Sequence, residues 1–133
     1  MTMADHPNYE KVQRALRDHG GLYTIEDIFE CLEDGRMQSF AHNDTWVVTE
    51  IREYPNGTNL EIIFVAGNMA DARVIEEQLI EFCEEQGIDR MVSESTRPGW
   101  IRARFPGWKH MSMKFVKEIG HGRRRRRNTE VSH

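Results

Sequence analysis

Three places in this 133-residue sequence bring together groups that can do chemistry. The first is the turn Gly67-Asn68-Met69-Ala70, which separates an apolar, β-prone run from a helical pattern. Peptide N–H groups at the start of a helix point out of it and attract anions, so such a turn is a natural ligand position. The second is the run Arg123, Arg124, Arg125, Arg126 and Arg127. Five adjacent guanidinium groups can neutralise about five phosphates, which for duplex DNA predicts a slope of about −4 to −5 in log affinity against log salt. The acidic surface of another protein, or of a second copy of this chain, offers them an alternative partner. The third gathers Arg97, Arg102, Arg104, Lys109 and His110 around Trp100 and Trp108, a mixture that can hold a phosphate or stack on a base or peptide. The plain alternative is two packed tryptophans with their cations in water. The six histidines show no spacing with cysteines or carboxylates that would hold a metal, and no metal site is expected.

The element that must position the first of these is 60–87, LEIIFVAGNMADARVIEEQLIEFCEEQG. Ile62, Ile63, Phe64 and Val65 read as a strand buried on both faces. After Gly67 the period becomes helical. Asn68 or Asp71 caps, Ala72, Ile75, Leu79, Phe82 and Cys83 form the apolar stripe, Glu76, Glu77, Glu81, Glu84 and Glu85 form a solvated face, and Gly87 ends the helix. A second strand, Asp89 to Ser95, follows at once, so the pattern is a βαβ unit with parallel strands. Ligands of open sheets sit at the crevice where such a strand runs into its helix.

Ahead of this unit, 8–19 makes a short amphipathic helix on Tyr9, Val12 and Leu16. Thr24 with Asp27 three residues on opens a second, carrying Ile25, Ile28, Phe29 and Leu32. Met37 to Ala41, Thr45 to Tyr54 and the central strand make an antiparallel meander turned at His42-Asn43-Asp44 and Pro55-Asn56-Gly57. Beyond it, Gly99 to Phe105 reads as a short helix and 109–118 as a last strand near an edge. The expected order is α-α-β-β-β-α-β-α-β: an α/β (α+β) fold with one mixed, mostly antiparallel sheet and helices on both faces.

A chain of this length buries one core. Domain boundaries are expected at 1–120 for the folded body and 121–133 for a basic, flexible tail. Thirteen basic against 21 acidic side chains leave residues 1–122 at −8, while 123–133 carry five basic and one acidic, +4. An acidic body argues against a domain-wide nucleic-acid surface and leaves the arginine run as the basic footprint. Cys31 and Cys83 lie on apolar helix faces and read as small core residues in a reducing compartment. No apolar run reaches the ~20 residues of a membrane span, and the N-terminus lacks a signal-peptide core.

With YTIEDIFECLEDGRMQSF, the VVTEI strand and its YP turn, EIIFVAGNMADARVIEEQL and RPGWIRARFPGWK in place, the chain resembles the GNAT superfamily of acyl-CoA-dependent N-acyltransferases, over about 110 residues. It looks most like the small GNAT-like proteins of tailed bacteriophages. The resemblance implies acetyl-CoA as cofactor, its pantetheine paired to the strand edge Phe64, Val65 and Ala66 and its pyrophosphate cradled by Gly67, Asn68, Met69 and Ala70. It also implies a glutamate base, here Glu61 or Glu50. Glu61 reads more simply as an ordinary solvent-facing strand residue. Departures from the family pattern are plain: one glycine and no basic residue stand in the loop, Asp71 brings a carboxylate to where phosphates would lie, and no tyrosine follows the crossover helix. These departures imply weak CoA affinity. The reading they favour is a GNAT-fold protein with a degenerate acyl-CoA site, not an enzyme, that works through a protein partner or self-assembly as a virion-associated or host-interacting component. It would sit in the host cytoplasm or the virion, with nucleic acid as a further partner of the tail. The alternative is an active acetyl-CoA-dependent N-acetyltransferase. A third reading, a small DNA-associated protein, draws on the tail alone.

Overall fold

The computed structural model describes residues 9–18, 21–94, 107–109, 111 and 115–120. Their elements run α1 (Tyr9–Asp18), α2 (Ile25–Glu33), β1 (Met37–His42), β2 (Thr45–Tyr54), β3 (Gly57–Ala66), α3 (Met69–Gln86) and β4 (Arg90–Ser93). The four strands form one sheet in the order β1-β2-β3-β4, antiparallel at the first two interfaces and parallel at the last. The turns expected between strands are there: Asn43 takes φ 53 in the β1–β2 turn, and Tyr54 pairs with Gly57 across Pro55-Asn56.

Two apolar layers sandwich the sheet. Val12, Leu16, Ile25, Ile28 and Cys31 of α1 and α2 close on Met37, Trp46, Val48, Ile63, Phe64 and Ala66. On the other face Ile75, Leu79 and Cys83 of α3 close on Val47 and Leu60, with Phe40, Ile51, Ile62, Val65, Phe82 and Met91 at the margin. The central strand therefore feeds both layers, which is why its run 62–65 is continuously apolar. Phe82 is half-buried and meets Phe40 edge-on at 5.4 Å. Both cysteines are buried and unpaired.

Local signals set the helix ends. The Thr24 hydroxyl accepts from Asp27 N at 3.1 Å and Asp27 accepts from Thr24 N at 2.8 Å, a reciprocal cap. Thr24→Ala is expected to cost about 1 kcal/mol in urea unfolding, and no loss would show that the cap is not formed in solution. Of the two candidate caps for α3, Asn68 is the one used, and Gly87 ends the helix in the left-handed region at φ 73.

The expected strand at Asp89 to Ser95 is shorter, Arg90–Ser93. The expected late helix, 99–105, lies outside the described residues, as do Arg97, Trp100, His110 and the arginine run 123–127. Of the expected last strand over 109–118, the described residues Lys109, Met111 and 115–118 form no strand, and Met111, Phe115 and Val116 are exposed. Alternating polarity marks a chain that suits a half-buried ladder without supplying the partner the ladder requires. No helix among the described residues is long and apolar enough to cross a membrane.

Candidate functional site: the opening beside β3

The register between β2 and β3 carries the feature that shapes the site. From Tyr54↔Gly57 to Thr49↔Ile62 the pairing is regular, but Val48 then pairs with Phe64, so Ile63 has no partner on β2. An extra residue of this kind is a β-bulge, which bends the strand and sharpens its twist. It also turns two successive side chains to one face, and Ile63 and Phe64 are both buried in the α1/α2 layer. On the opposite edge, β4 pairs with Asn59, Leu60, Glu61 and Ile62 and stops there. Among the described residues, β3 and β4 pair up to the residue before the bulge and no further. The backbone from Ile63 to Ala66 consequently has β2 on one side and no described strand on the other.

The bulge also decides what meets the loop. Carried one step past Trp46↔Ala66, the shifted register sets Gly67 opposite Thr45. Gly67 lies at φ 151, and a Cβ there would come within 2.1 Å of Thr45 Oγ1 and 2.7 Å of Thr45 Cα. Only glycine allows the two strands to approach this closely.

Thr45 then ties the loop to the start of α3. Its hydroxyl accepts from Asn68 N at 3.1 Å and donates to Asp71 Oδ2 at 3.2 Å. Asn68 Oδ1 accepts from Asp71 N at 2.9 Å, and Asn68 Nδ2 donates to Asp71 Oδ2 at 3.0 Å. Asn43 Nδ2 donates to Asp71 Oδ1 at 3.0 Å, with His42 Nε2 at 4.0 Å. The Asn43 bond, with those from Asn68 and Thr45, holds the Asp71 carboxyl below its usual range despite partial burial. The expected cradle is thus partly occupied from within: two of the amides around it, those of Asn68 and Asp71, are already bonded to protein, and a fixed carboxylate lies over the helix end.

A depressed folded-state pKa contributes stability above the ordinary aspartate value of about 3.9, and loses it as pH falls through the lower folded value. Asp27, held down by the Thr24 backbone bond, and Asp34, held down by Arg36, shift the same way. The melting temperature is expected to hold from pH 7 to 5 and fall below about pH 4, with a smaller acid-induced fall in Asp71→Asn. An equal fall in that variant would show that Asp71 does not contribute.

The two candidate bases are brought together. Glu50 and Glu61 are direct partners across β2 and β3. Their neighbours Ile51, Leu60 and Ile62 pack under α3, so strand alternation turns both glutamates to the α1/α2 side. Arg52 bridges them, its Nη2 2.9 Å from Glu50 Oε1 and its Nη1 3.5 Å from Glu61 Oε1. The Tyr54 hydroxyl donates to Glu61 Oε2 at 2.8 Å. This bond is the main reason the Tyr54 hydroxyl titrates above its ordinary value; the guanidinium of Arg52, bonded first to Glu50, is likewise held more firmly charged. Glu61 is therefore neither free in solvent nor alone. It lies two residues, about 7 Å of strand, from the bulged Ile63, whereas Gly67 is about 20 Å away.

The remaining site expectations divide by atom type. Phe64 and Ala66 are buried and Val65 is half-buried; the Phe64 ring packs edge-on against Trp46 at 5.1 Å. These residues can offer a ligand only their backbone. Asn68 and Ala70 are exposed, Met69 half so. Trp108 is half-buried, and its indole N–H donates to Glu76 on the acidic face of α3, so that tryptophan packs on the body instead of standing free. Among the described residues no three His, Cys, Asp or Glu side chains gather as a metal site.

No protein-family model and no curated protein sequence matches the chain. Solved structures do. An aminoglycoside acetyltransferase from an uncultured soil metagenomic sample superposes with a TM-score of 0.59 at 11% identity, over 90% of this chain and 93% of its own. An acetyltransferase of Trypanosoma brucei, with 10% identity, gives 0.57 over 90% and 96%. A ribosomal-protein-alanine N-acetyltransferase of Brucella melitensis biovar Abortus 2308, with 15% identity, gives 0.53 over 87% and 96%. The chain has a GNAT-like fold.

Within this GNAT-like fold, sequence reading located the strand, the turn and both glutamates, and missed Arg52, Tyr54, Thr45, Asn43 and the bulge. Arg52 and Tyr54 carry a faint signal: with Glu50 they alternate along one face of β2. The bulge carries none, because β2 and β3 are both ten residues long and every residue from 62 to 66 is apolar.

Proposed function

We propose that this protein is an N-acyltransferase that takes its acyl group from a thioester such as acetyl-CoA, laid along the open edge of β3 from Ile63 to Ala66. One observation carries the reading: among the described residues β4 pairs with β3 only as far as Ile62, the residue before the bulge, and no described strand takes the amides and carbonyls beyond it on that side. An extended arm containing amides fits such an edge as a strand does. Three of its structural neighbours are named as acetyltransferases, which supports the same reading.

The chemistry follows from the groups at hand. An amine nitrogen attacks the thioester carbonyl, a backbone N–H of the open edge donates to the oxygen that becomes negative, and the carbon–sulfur bond breaks. Glu61, directly or through one water, accepts the proton the amine loses, and the departing thiolate is protonated from water. Arg52 and Tyr54 keep the Glu61 carboxylate in place. The test is an NMR titration with acetyl-CoA: the amides of Ile63 to Ala66 move, while those of the distant α1 do not.

A second reading, a domain that acts through protein contacts as a virion-associated or host-interacting component, is favoured by the occupied start of α3. There the arginine run 123–127 serves as a tether, and deleting 121–133 alters DNA binding or oligomer size. Amides 63–66 unmoved at millimolar acetyl-CoA would select it over the enzyme.

A further inference from the structure

We infer that Asp71 sets the donor class of the site: it works against a nucleotide diphosphate at the start of α3, so the opening takes a pantetheine-type thioester for its arm alone. The inference rests on the acyltransferase reading and adds the chemistry of the donor to it.

A strand that ends in a turn and a helix presents two things to a ligand, an open backbone edge and the positive end of the helix. Here 63–66 has no described strand on its second side, and the helix end is taken. Asn68 N is bonded to Thr45 Oγ1 and Asp71 N to Asn68 Oδ1. The Asp71 carboxylate is itself held by donors from Asn43, Thr45 and Asn68, which come from the β1–β2 turn, the start of β2 and the loop. It cannot swing away without breaking all three. Gly67, which elsewhere would let a phosphate approach the backbone, has its space filled by Thr45. No lysine or arginine lies between 67 and 72 to offset the negative charge. A diphosphate brought here would meet a fixed carboxylate, whereas the uncharged amides of a pantetheine arm along 63–66 would not.

The test compares two donors on the full chain by calorimetry at constant ionic strength: acetyl-CoA, and S-acetylpantetheine, which carries the arm and thioester without phosphates. In the unaltered protein the two are expected to bind within about threefold of each other. In Asp71→Asn, which keeps the side-chain size and removes the charge, acetyl-CoA is expected to bind about fivefold to tenfold more tightly and S-acetylpantetheine to be unchanged. A tenfold preference of the unaltered protein for acetyl-CoA would overturn the inference and leave the acyltransferase reading standing. Equal changes for both donors in Asp71→Asn would overturn it too. Should that variant not fold, the comparison on the unaltered protein still decides. If neither donor binds, the acyltransferase reading falls and this inference with it.

Discussion

Gly67→Ala lowers the melting temperature by roughly 10–20 °C, the largest effect expected of any added methyl among the described glycines. The added Cβ lands 2.1 Å from Thr45 Oγ1 and 2.5 Å from Thr45 Cβ, and the atoms it meets include backbone, so no side-chain rotation relieves it. At φ 151 an L-residue is strained in addition. Strain of about 1–3 kcal/mol and overpacking of similar size together give roughly 3–5 kcal/mol, which for a domain of this length converts to that interval in temperature. Calorimetry of the variant checks it. The same change displaces Thr45 from Asn68 N and Asp71, so the start of α3 should lose protection from hydrogen exchange along with the global fall. A loss below about 1 kcal/mol would mean that β2 and the loop are not as close as the shifted register requires.

The second large effect lies on the other side of the sheet. Ile75 is fully buried beneath α3, in the layer shared with Val47, Leu60 and Leu79. Ile75→Ala leaves a cavity between the helix and the sheet at Val47 and Leu60, at an expected cost of about 2–5 kcal/mol in urea unfolding. The higher helix propensity of alanine offsets only a few tenths of that. Val74→Ala, one position along and 40% exposed, should stay within about 0.5 kcal/mol and serves as the control. Equal losses for the two would show that α3 is rotated from the orientation described.

Both effects bear on the site because its geometry depends on packing at a distance. The edge at 63–66 is shaped by the bulge that sets Gly67 against Thr45 and backed by the layer in which α3 meets Leu60, with Ile62, Val65 and Met91 at its margin. On the acyltransferase reading, stability variants in this region should therefore weaken thioester binding even where they touch no ligand.

What the sequence determined by itself is the set of local structures, and the reason is that their causes are local. Periods of two and of three to four residues, the Thr24–Asp27 reciprocal cap, Asn68 at one end of α3 and Gly87 at the other, and the turns at 43–44 and 55–56 each depend on neighbours within four positions. The apolar stretch 62–65 further required a strand covered on both faces, and with it helices on both sides of the sheet. What only the tertiary structure decided is the function of those pieces toward one another. Glu50 and Glu61 are eleven positions apart in sequence, and only pairing sets them side by side beneath Arg52 and Tyr54. Residue 71 reads in sequence as an acidic first-turn residue; contact with the β1–β2 turn makes it a held carboxylate. Ile63 is one of several identical-looking apolar residues, and it becomes the bulged one because the register with β2 shifts there, one position past Ile62, the last residue to pair with β4. Register is a property of pairs of strands, and no single strand carries it.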